Sequence, residues 1–523
     1  MGADCNQAKF EFHPLGARDV VGRFDGGMIS SDGGGLLLRE VEQRTGILRQ
    51  FAGCFSDHRD ANLIEHTVEE LLAQRVYGLT LGYEDLLDHD DLRRDPLLAT
   101  MVGKTDPQGD ERARARDKGK PLAGKSTLNR LELSPVGADE DSRYKKIVCH
   151  TSRVDALFVD VFLQAHDTPP ARIVIDLDST FAPLHGHQLG RFFHGYYDCY
   201  CYLPLYVFCG EHLLAVRLRP ANIDGAAGAL EVIQRIVEQI RARWPQTQIV
   251  LRGDSGFCRE NLMAWCEKSG VDYVFGLARN NRLCRIIGAE MHQAKLQCEA
   301  TGQAARVFSD FEYRTKKSWS RARRVVGKAE HLENKANPRF VVTSLPPALK
   351  ELQTSSSSAS SACQPSRSPT PPAQSTSGRG SEVIVGIDAR TLYEEEYCAR
   401  GEMENRIKEQ QLYLFADRLS AATMRANQLR LYEAGVAYLL IHALRRLGLR
   451  DTPLQQAQTP TIRQKLFKIG VQIVVSTRRV FCSWSQAYPY QELFRKIWEN
   501  LRGPAAWNNP HTPSLQSPSP LRC

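Results

Sequence analysis

"VLRGDSGFCRE", residues 250–260, carries an apolar run into an aspartate and then a glycine-containing turn. A charge at the end of a run that reads as a buried strand needs a reason, because burying an unpaired charge is costly. In α/β sheets ligands bind where strands end, so a carboxylate delivered there marks a candidate site. The flanking pattern sets the fold class. "RIVIDLD" (172–178), "YLPLYVFC" (202–209) and "HLLAVRLR" (212–219) are three strand-like runs, and "GALEVIQRIVEQIRARW" (228–244) is an amphipathic helix. "QIVLRGD" (248–254) is again a strand, "RENLMAWCEKSG" (259–270) a helix closed by glycine, and "DYVFGLA" (272–278) a further strand. Three strands, helix, strand, helix, strand is an α/β layer with the later strands parallel to the first.

Outward from this core the pattern changes. Residues 1–150 read as mostly helical after a short extended start, as in "GGGLLLREVEQRTGI" and "LIEHTVEELLAQRVYGL". The first part of the core spans 170–290. A β-rich insertion is expected over 291–350, from "ARVFSDFEYRT", "RRVVGKAEHL" and "RFVVTSL". Residues 351–384 hold a Ser/Pro tract too poor in apolar residues to pack, read as disordered. Helical periodicity returns over 385–450, and 451–523 is expected to be a helical region with a loop-like tail.

Composition narrows the function. No stretch of about 18 uncharged apolar residues occurs and the N-terminus lacks the apolar segment of a signal peptide, so no membrane role and a cytoplasmic location are expected. Fourteen cysteines, none in a CxxC pair, fit reduced packing residues better than a disulfide framework or zinc site. The net charge of +8 is unevenly placed. "ERARARDKGKPLAGK" and "YRTKKSWSRARRVVGK" are basic, which suits a polyanionic partner such as nucleic acid.

The carboxylates come next. Asp176 and Asp178 in "IDLDST" lie two apart on a strand and share a face, so direction alone does not separate them. A hard divalent cation would want a third carboxylate. Glu404 in "YCARGEMENRIKEQQ" is the best candidate, with Tyr397 and Arg400 just before it and Arg400 suited to phosphate.

Two strand-borne aspartates and a helix-borne glutamate on this layer resemble the RNase H-like core of DDE transposases. "DLDST", "HGHQLGRFFHGYYDCYCYLPLYVFCG", "LRGDSGF" and "YCARGEMENRIKEQQ" look like the insertion-sequence 1380 family of bacterial DDE transposases, a likeness running from about residue 10 to 450. The resemblance implies an α/β fold: an RNase H-like core with a β-rich insertion, plus helical N-terminal and C-terminal regions. Asp178, matching Asp-x-Thr, would be the first acid, Asp254 the second and Glu404 the third, together binding two Mg²⁺ ions, with Mn²⁺ as substitute. A Tyr-Arg-Glu-Lys signature fits Tyr397, Arg400 and Glu404, but Gln411 stands where its lysine belongs, and Lys408 is the stand-in for a phosphate contact. Lys125, Arg252 and Trp319 complete the expected DNA contacts, Trp319 by stacking on a base among Tyr313, Lys316, Lys317, Arg321, Arg323 and Arg324. The implied partners are double-stranded DNA, as terminal inverted repeats and target, and a second copy of the chain on DNA. The implied place is the bacterial cytoplasm, at the nucleoid.

Rival readings are weaker on chemistry. "GKPLAGKS" (119–126) satisfies the phosphate-loop pattern, but "DERARARDK" before it supplies no strand; a helix start at Gly124–Ser126, with Lys125 on DNA phosphate, is expected instead. "DLDST" fits the haloacid-dehalogenase-like phosphatase signature, yet Cys258 stands where that family needs its last aspartate. His185 and His187 in "HGH" are read as polar turn residues, not ligands. From another class, a transposase-derived DNA-binding protein with idle acids would keep the fold and lose the chemistry.

Overall fold

The structure is a computed structural model that describes residues 9–333, 335–348 and 386–503. The Ser/Pro tract over 351–384 lies outside the described residues. The chain forms two compact units, Met1–Ile249 with Gly401–Cys523, and Val250–Arg400. The divisions fall inside the stretches that the sequence pattern assigns to the core.

In the first unit the long helix Met424–Leu447 is the axis of the apolar core. Nearly every side chain along it is buried, the polar Asn427, Gln428, Glu433 and His442 included. Thr423 caps its start by accepting from the Ala426 amide. Helices Leu36–Thr45, Val68–Leu81 and Thr151–Gln164 belong to the same core. Val68–Leu81 starts with a full capping box, Thr67 with Glu70, so the sequence marks its own first turn. Strand Leu205–Cys209 pairs antiparallel with Arg172–Ser179 on one side and His212–Arg217 on the other, the expected meander. Helix Ala229–Arg243 follows, burying Val232, Ile233, Ile236, Val237 and Ile240 on one face.

The C-terminal region is not wholly helical. Val471–Ser476 and Arg479–Trp484 form an antiparallel hairpin that adds the N-terminal strand Met28–Ser30. The chain ends meet closely there. A side chain at Gly34 would come within 1.5 Å of the Leu466 carbonyl oxygen, so only glycine fits.

In the second unit, strand Gln248–Gly253, from Val250 on, runs parallel to Asp272–Leu277. Helix Glu260–Ser269 makes the crossover and Gly270, at φ 62°, ends it in the left-handed conformation. The sheet then turns antiparallel through Arg339–Thr343, Arg323–Leu332 and Ala305–Tyr313, making it mixed. These three strands lie within the stretch read from the sequence as a β-rich insertion. It begins later than expected: helix Gly288–Thr301 occupies the start of the 291–350 stretch, because its apolar residues are too sparse to signal a period. Among the described residues no helix is long and apolar enough to cross a membrane.

Candidate active site

Within the first unit, exposure separates the two aspartates that direction could not. Asp176, opposite Phe208 in the ladder, is buried to 3% exposure. Asp178, opposite Tyr206, is half-buried at the strand's C-terminal end, where its Oδ1 accepts the Ser179 amide at 2.9 Å. The strand end is stapled by Arg219, which sequence reasoning missed. Its Nη2 donates to Ser179 Oγ at 2.7 Å, Nε to the Leu203 carbonyl at 2.9 Å, and Nη1 to the Gly225 and Ala227 carbonyls at 3.0 and 2.7 Å. Burial pushes this guanidinium down to about 10, and carbonyls rather than carboxylates satisfy its donors.

Glu404 lies in the first turn of helix Gly401–Tyr413, exposed, with Lys408 exposed one turn on. Met403, Ile407 and Gln410 bury the opposite side. Gln411, seven residues after Glu404 and so on the same face, donates its Nε2 to the Phe181 carbonyl at 3.0 Å. This helix face is thereby tied to the loop that leaves Asp178. A neutral amide makes at position 411 a backbone contact, where the related signature would have a cation.

The second unit answers why a glycine-containing turn follows Asp254. Asp254 Oδ1 accepts the Gly256 amide at 2.8 Å and its carbonyl accepts the Phe257 amide at 3.2 Å, a side-chain-closed turn that leaves the carboxylate half-buried. Phe257 is buried beneath and anchors it. In the parallel ladder Gly253 pairs with Phe275, so Gly276 lies level with Asp254. A side chain at Gly276 would meet Tyr397 Oη at 2.5 Å and Ser255 N at 2.9 Å. That glycine, also missed, lets the Tyr397 hydroxyl lie against the backbone that follows the acid; a glycine inside a strand is the signal that could have found it. Tyr397 hydrogen-bonds Arg400; burial pushes its phenol up, the Arg400 charge opposes, and the Asp254 charge adds to the rise. Asp254, Tyr397 and Arg400 are thus one electrostatic cluster.

Three expected DNA contacts are otherwise engaged. Arg252 is 8% exposed and donates to the Glu396 carbonyl, so it positions the irregular helical segment Leu392–Tyr397 instead of reaching solvent. Trp319 is 5% exposed and packs edge-on to Tyr313 at 5.7 Å with Arg323 above it at 5.4 Å, leaving no free face for a base. Lys125 begins helix Lys125–Glu132 as expected, but Asp90 takes both its amide at 3.1 Å and its ammonium at 3.1 Å. An internal carboxylate holds the place expected for phosphate.

His187 hydrogen-bonds Arg191 and acts as a turn residue. Burial pushes the Cys258 thiol up to about 12, and a neutral thiol cannot replace the carboxylate that a dehalogenase-like site needs. Among the described residues no group of three or more His, Cys, Asp or Glu is gathered as a ready-made metal cage. The donor chemistry of Asp178, Asp254 and Glu404, hard carboxylate oxygens at half-buried or exposed positions, suits Mg²⁺ or Mn²⁺ over softer metals.

One strand-end carboxylate, Asp254, thus stands with Tyr397 and Arg400 on a mixed α/β scaffold. The chain belongs to the DDE transposases: the family model described as "Transposase DDE domain group 1" matches residues 12–358 and 382–505, most of the sequence. Among solved structures it is similar to a piggyBac transposase, in a synaptic complex with hairpin DNA, at 9% identity and a TM-score of 0.37, over 91% of this chain and 83% of that one. No curated protein matches the sequence.

Proposed function

We propose that this chain is the transposase of a bacterial insertion sequence of the 1380 type, moving the element by cut-and-paste. The observation that carries the reading is the cluster of Asp254, Tyr397 and Arg400 around Gly276, within a chain of the DDE family. In this reading Arg172–Ser179 and the strands after it are an RNase H-like core, and Asp178, Asp254 and Glu404 are the acids. The three carboxylates would hold two Mg²⁺ ions, which supply a lowered pKa for the attacking oxygen and charge stabilisation for the leaving one.

Each residue then has a task. Arg400 and Lys408 bind phosphate oxygens, and the Tyr397 hydroxyl, kept protonated by its burial, donates to another. Arg219 keeps the Asp178 strand end in place and Arg252 does the same for the segment that carries Tyr397. Water attacks phosphorus at the element's end as the bond to the 3′-oxygen breaks; the freed 3′-hydroxyl then attacks a target phosphodiester in the same in-line manner. Stacking on bases falls to Phe193, Tyr196 and Tyr200, whose rings are exposed, in place of Trp319. The basic N-terminal stretch, "ERARARDKGKPLAGK", reads the terminal inverted repeats, and two copies bring two ends together at the nucleoid.

The test is Mg²⁺-dependent cleavage of the element's own ends by the wild type, Asp254→Ala and Glu404→Ala. Loss of cleavage with DNA binding retained is expected; undiminished cleavage in both variants would reject the site. The neutral Gln411 contact favours a second reading, a DNA-binding protein with idle acids. In that case the wild type binds the ends and never cuts them.

A further inference from the structure

Beside Asp254 the second unit opens a cavity of about 330 Å³, at the lower end of ligand-sized pockets, roughly 300–1,000 Å³. Ser255, Gly276 and Tyr397 line its acid side, and Arg279, Lys335 and Arg339 line the other. All three cations are exposed. Arg279 follows strand Asp272–Leu277, Arg339 begins strand Arg339–Thr343, and Lys335 begins the two-residue strand Lys335–Ala336 before it.

The neighbouring acid is already spent. Glu330 takes Arg306 at 2.8 Å and Lys328 at 2.7 Å, and accepts Asn337 Nδ2 as well, which fixes the turn between Lys335 and Arg339. Two other arginines of this unit are matched by carboxylates, Arg323 by Glu260 and Glu267 and Arg324 by Asp310. Among the described residues Arg279, Lys335 and Arg339 have no carboxylate within ion-pair distance. Three like charges facing one concave space raise a positive potential there that only an incoming anion relieves.

We propose that this cavity is a phosphate-backbone subsite, in which Arg279, Lys335 and Arg339 grip phosphodiesters of a DNA strand next to the one that reaches Asp254. The assignment rests on the reading of the chain as DNA-acting. It adds a set of contacts outside the Tyr-Arg-Glu signature and gives the β-insertion a direct role in holding the strand.

The test uses the full chain, with Arg279→Ala, Lys335→Ala and Arg339→Ala combined, and a charge-preserving Arg279→Lys, Lys335→Arg, Arg339→Lys variant. Fluorescence anisotropy of a labelled single-stranded oligonucleotide is followed across a salt series. Each lost phosphate contact lowers the slope of log K against log salt by about 0.7, so the alanine variant is expected to lose about 2 from the slope. The charge-preserving variant should keep it. An unchanged slope in the alanine variant overturns the subsite. Competition by inorganic phosphate or a mononucleotide as strong as by the oligonucleotide would also overturn it, in favour of a free-phosphate site. Asp254→Ala serves as the separator: it should abolish cleavage and leave the salt slope intact. If wild type never cleaves while the alanine variant loses its slope, the catalytic reading falls and the subsite stands.

Discussion

Two clusters of aromatic rings flanked by cations occupy different units of this protein, and they have opposite fates. In the insertion, Tyr313 and Trp319 are each 5% exposed and lie under Arg282 and Arg323. In the hairpin of Phe192–His194 with Cys199–Tyr202, Phe193 is 53% exposed, Tyr196 85% and Tyr200 49%, with Arg191 over Tyr200. On paper the two stretches look alike. The difference is made by acids distant in sequence: Glu260 and Glu267, from helix Glu260–Ser269, draw Arg323 inward over Trp319, and Thr315 closes the turn by accepting the Trp319 amide at 2.8 Å. Among the described residues no carboxylate lies within ion-pair distance of the hairpin's Arg191; a left-handed Asp198, at φ 51°, turns the hairpin, and its rings stay exposed. An aromatic among cations is therefore a nucleic-acid platform only if no carboxylate claims the cations first.

The largest effect should come from breaking the buried cluster. Trp319→Ala removes a buried indole and is expected to cost about 3–5 kcal/mol, read from urea or thermal unfolding. A loss below about 1 kcal/mol would mean that the ring is not core. Arg323→Ala removes the cation that Glu260 and Glu267 share and leaves Glu267 only Arg321, at 3.8 Å. Because both acids keep some exposure, the expected loss is smaller, about 2–3 kcal/mol.

The same cluster sets a pH dependence. For Glu260 and Glu267 burial works to raise the carboxyls, but Arg323 together with the hydrogen bonds from Ser320 on Glu260 and from Tyr273 on Glu267 outweighs it and holds both below the usual carboxylate range. Depressed acids contribute stability that is present above their unfolded values, about 4.3, and is lost as pH falls through the folded ones. Wild type should lose stability in acid over that window, and Arg323→Ala should lose less. Equal acid slopes in the two proteins would show that the pairing contributes nothing.

A subtler change tests the acid turn. Gly276→Ala places a methyl 2.5 Å from Tyr397 Oη and 2.9 Å from the Ser255 amide nitrogen, closer than either can accept without moving. Expected is a fall in cleavage of about tenfold or more with DNA binding near wild type, since a displacement near 1 Å at a reacting centre is enough for such losses. Cleavage at the wild-type rate would remove Tyr397 from the site.

Much of this was legible from the chain. The strands and helices of the α/β layer follow their apolar periods, and Asp254 announces itself by ending a strand. Other features were hidden for identifiable reasons. Position along the strand, not side-chain direction, distinguishes Asp178 from Asp176, and burial cannot be read from spacing. Arg219 and Arg252 look like surface cations until backbone carbonyls from other segments are seen to take their donors. The hairpin Val471–Ser476 with Arg479–Trp484 carried a two-residue alternation that a helical expectation for the C-terminus passed over.

The smallest stability effect belongs to the exposed cluster. Tyr196→Ala is expected to change unfolding free energy by no more than about 0.5 kcal/mol, because the ring is 85% exposed and its one aromatic contact, edge-on to Tyr197 at 5.0 Å, is made at the surface. If the exposed rings meet bases, the consequence lies elsewhere. Binding of a single-stranded end should weaken by about 1–3 kcal/mol per ring removed, measured by anisotropy, while Trp319→Phe leaves it unchanged. The pairing of outcomes is what counts: a stable Tyr196→Ala protein with full affinity for single strands would make the hairpin an ordinary surface, and the contrast between the two clusters would then be one of folding alone.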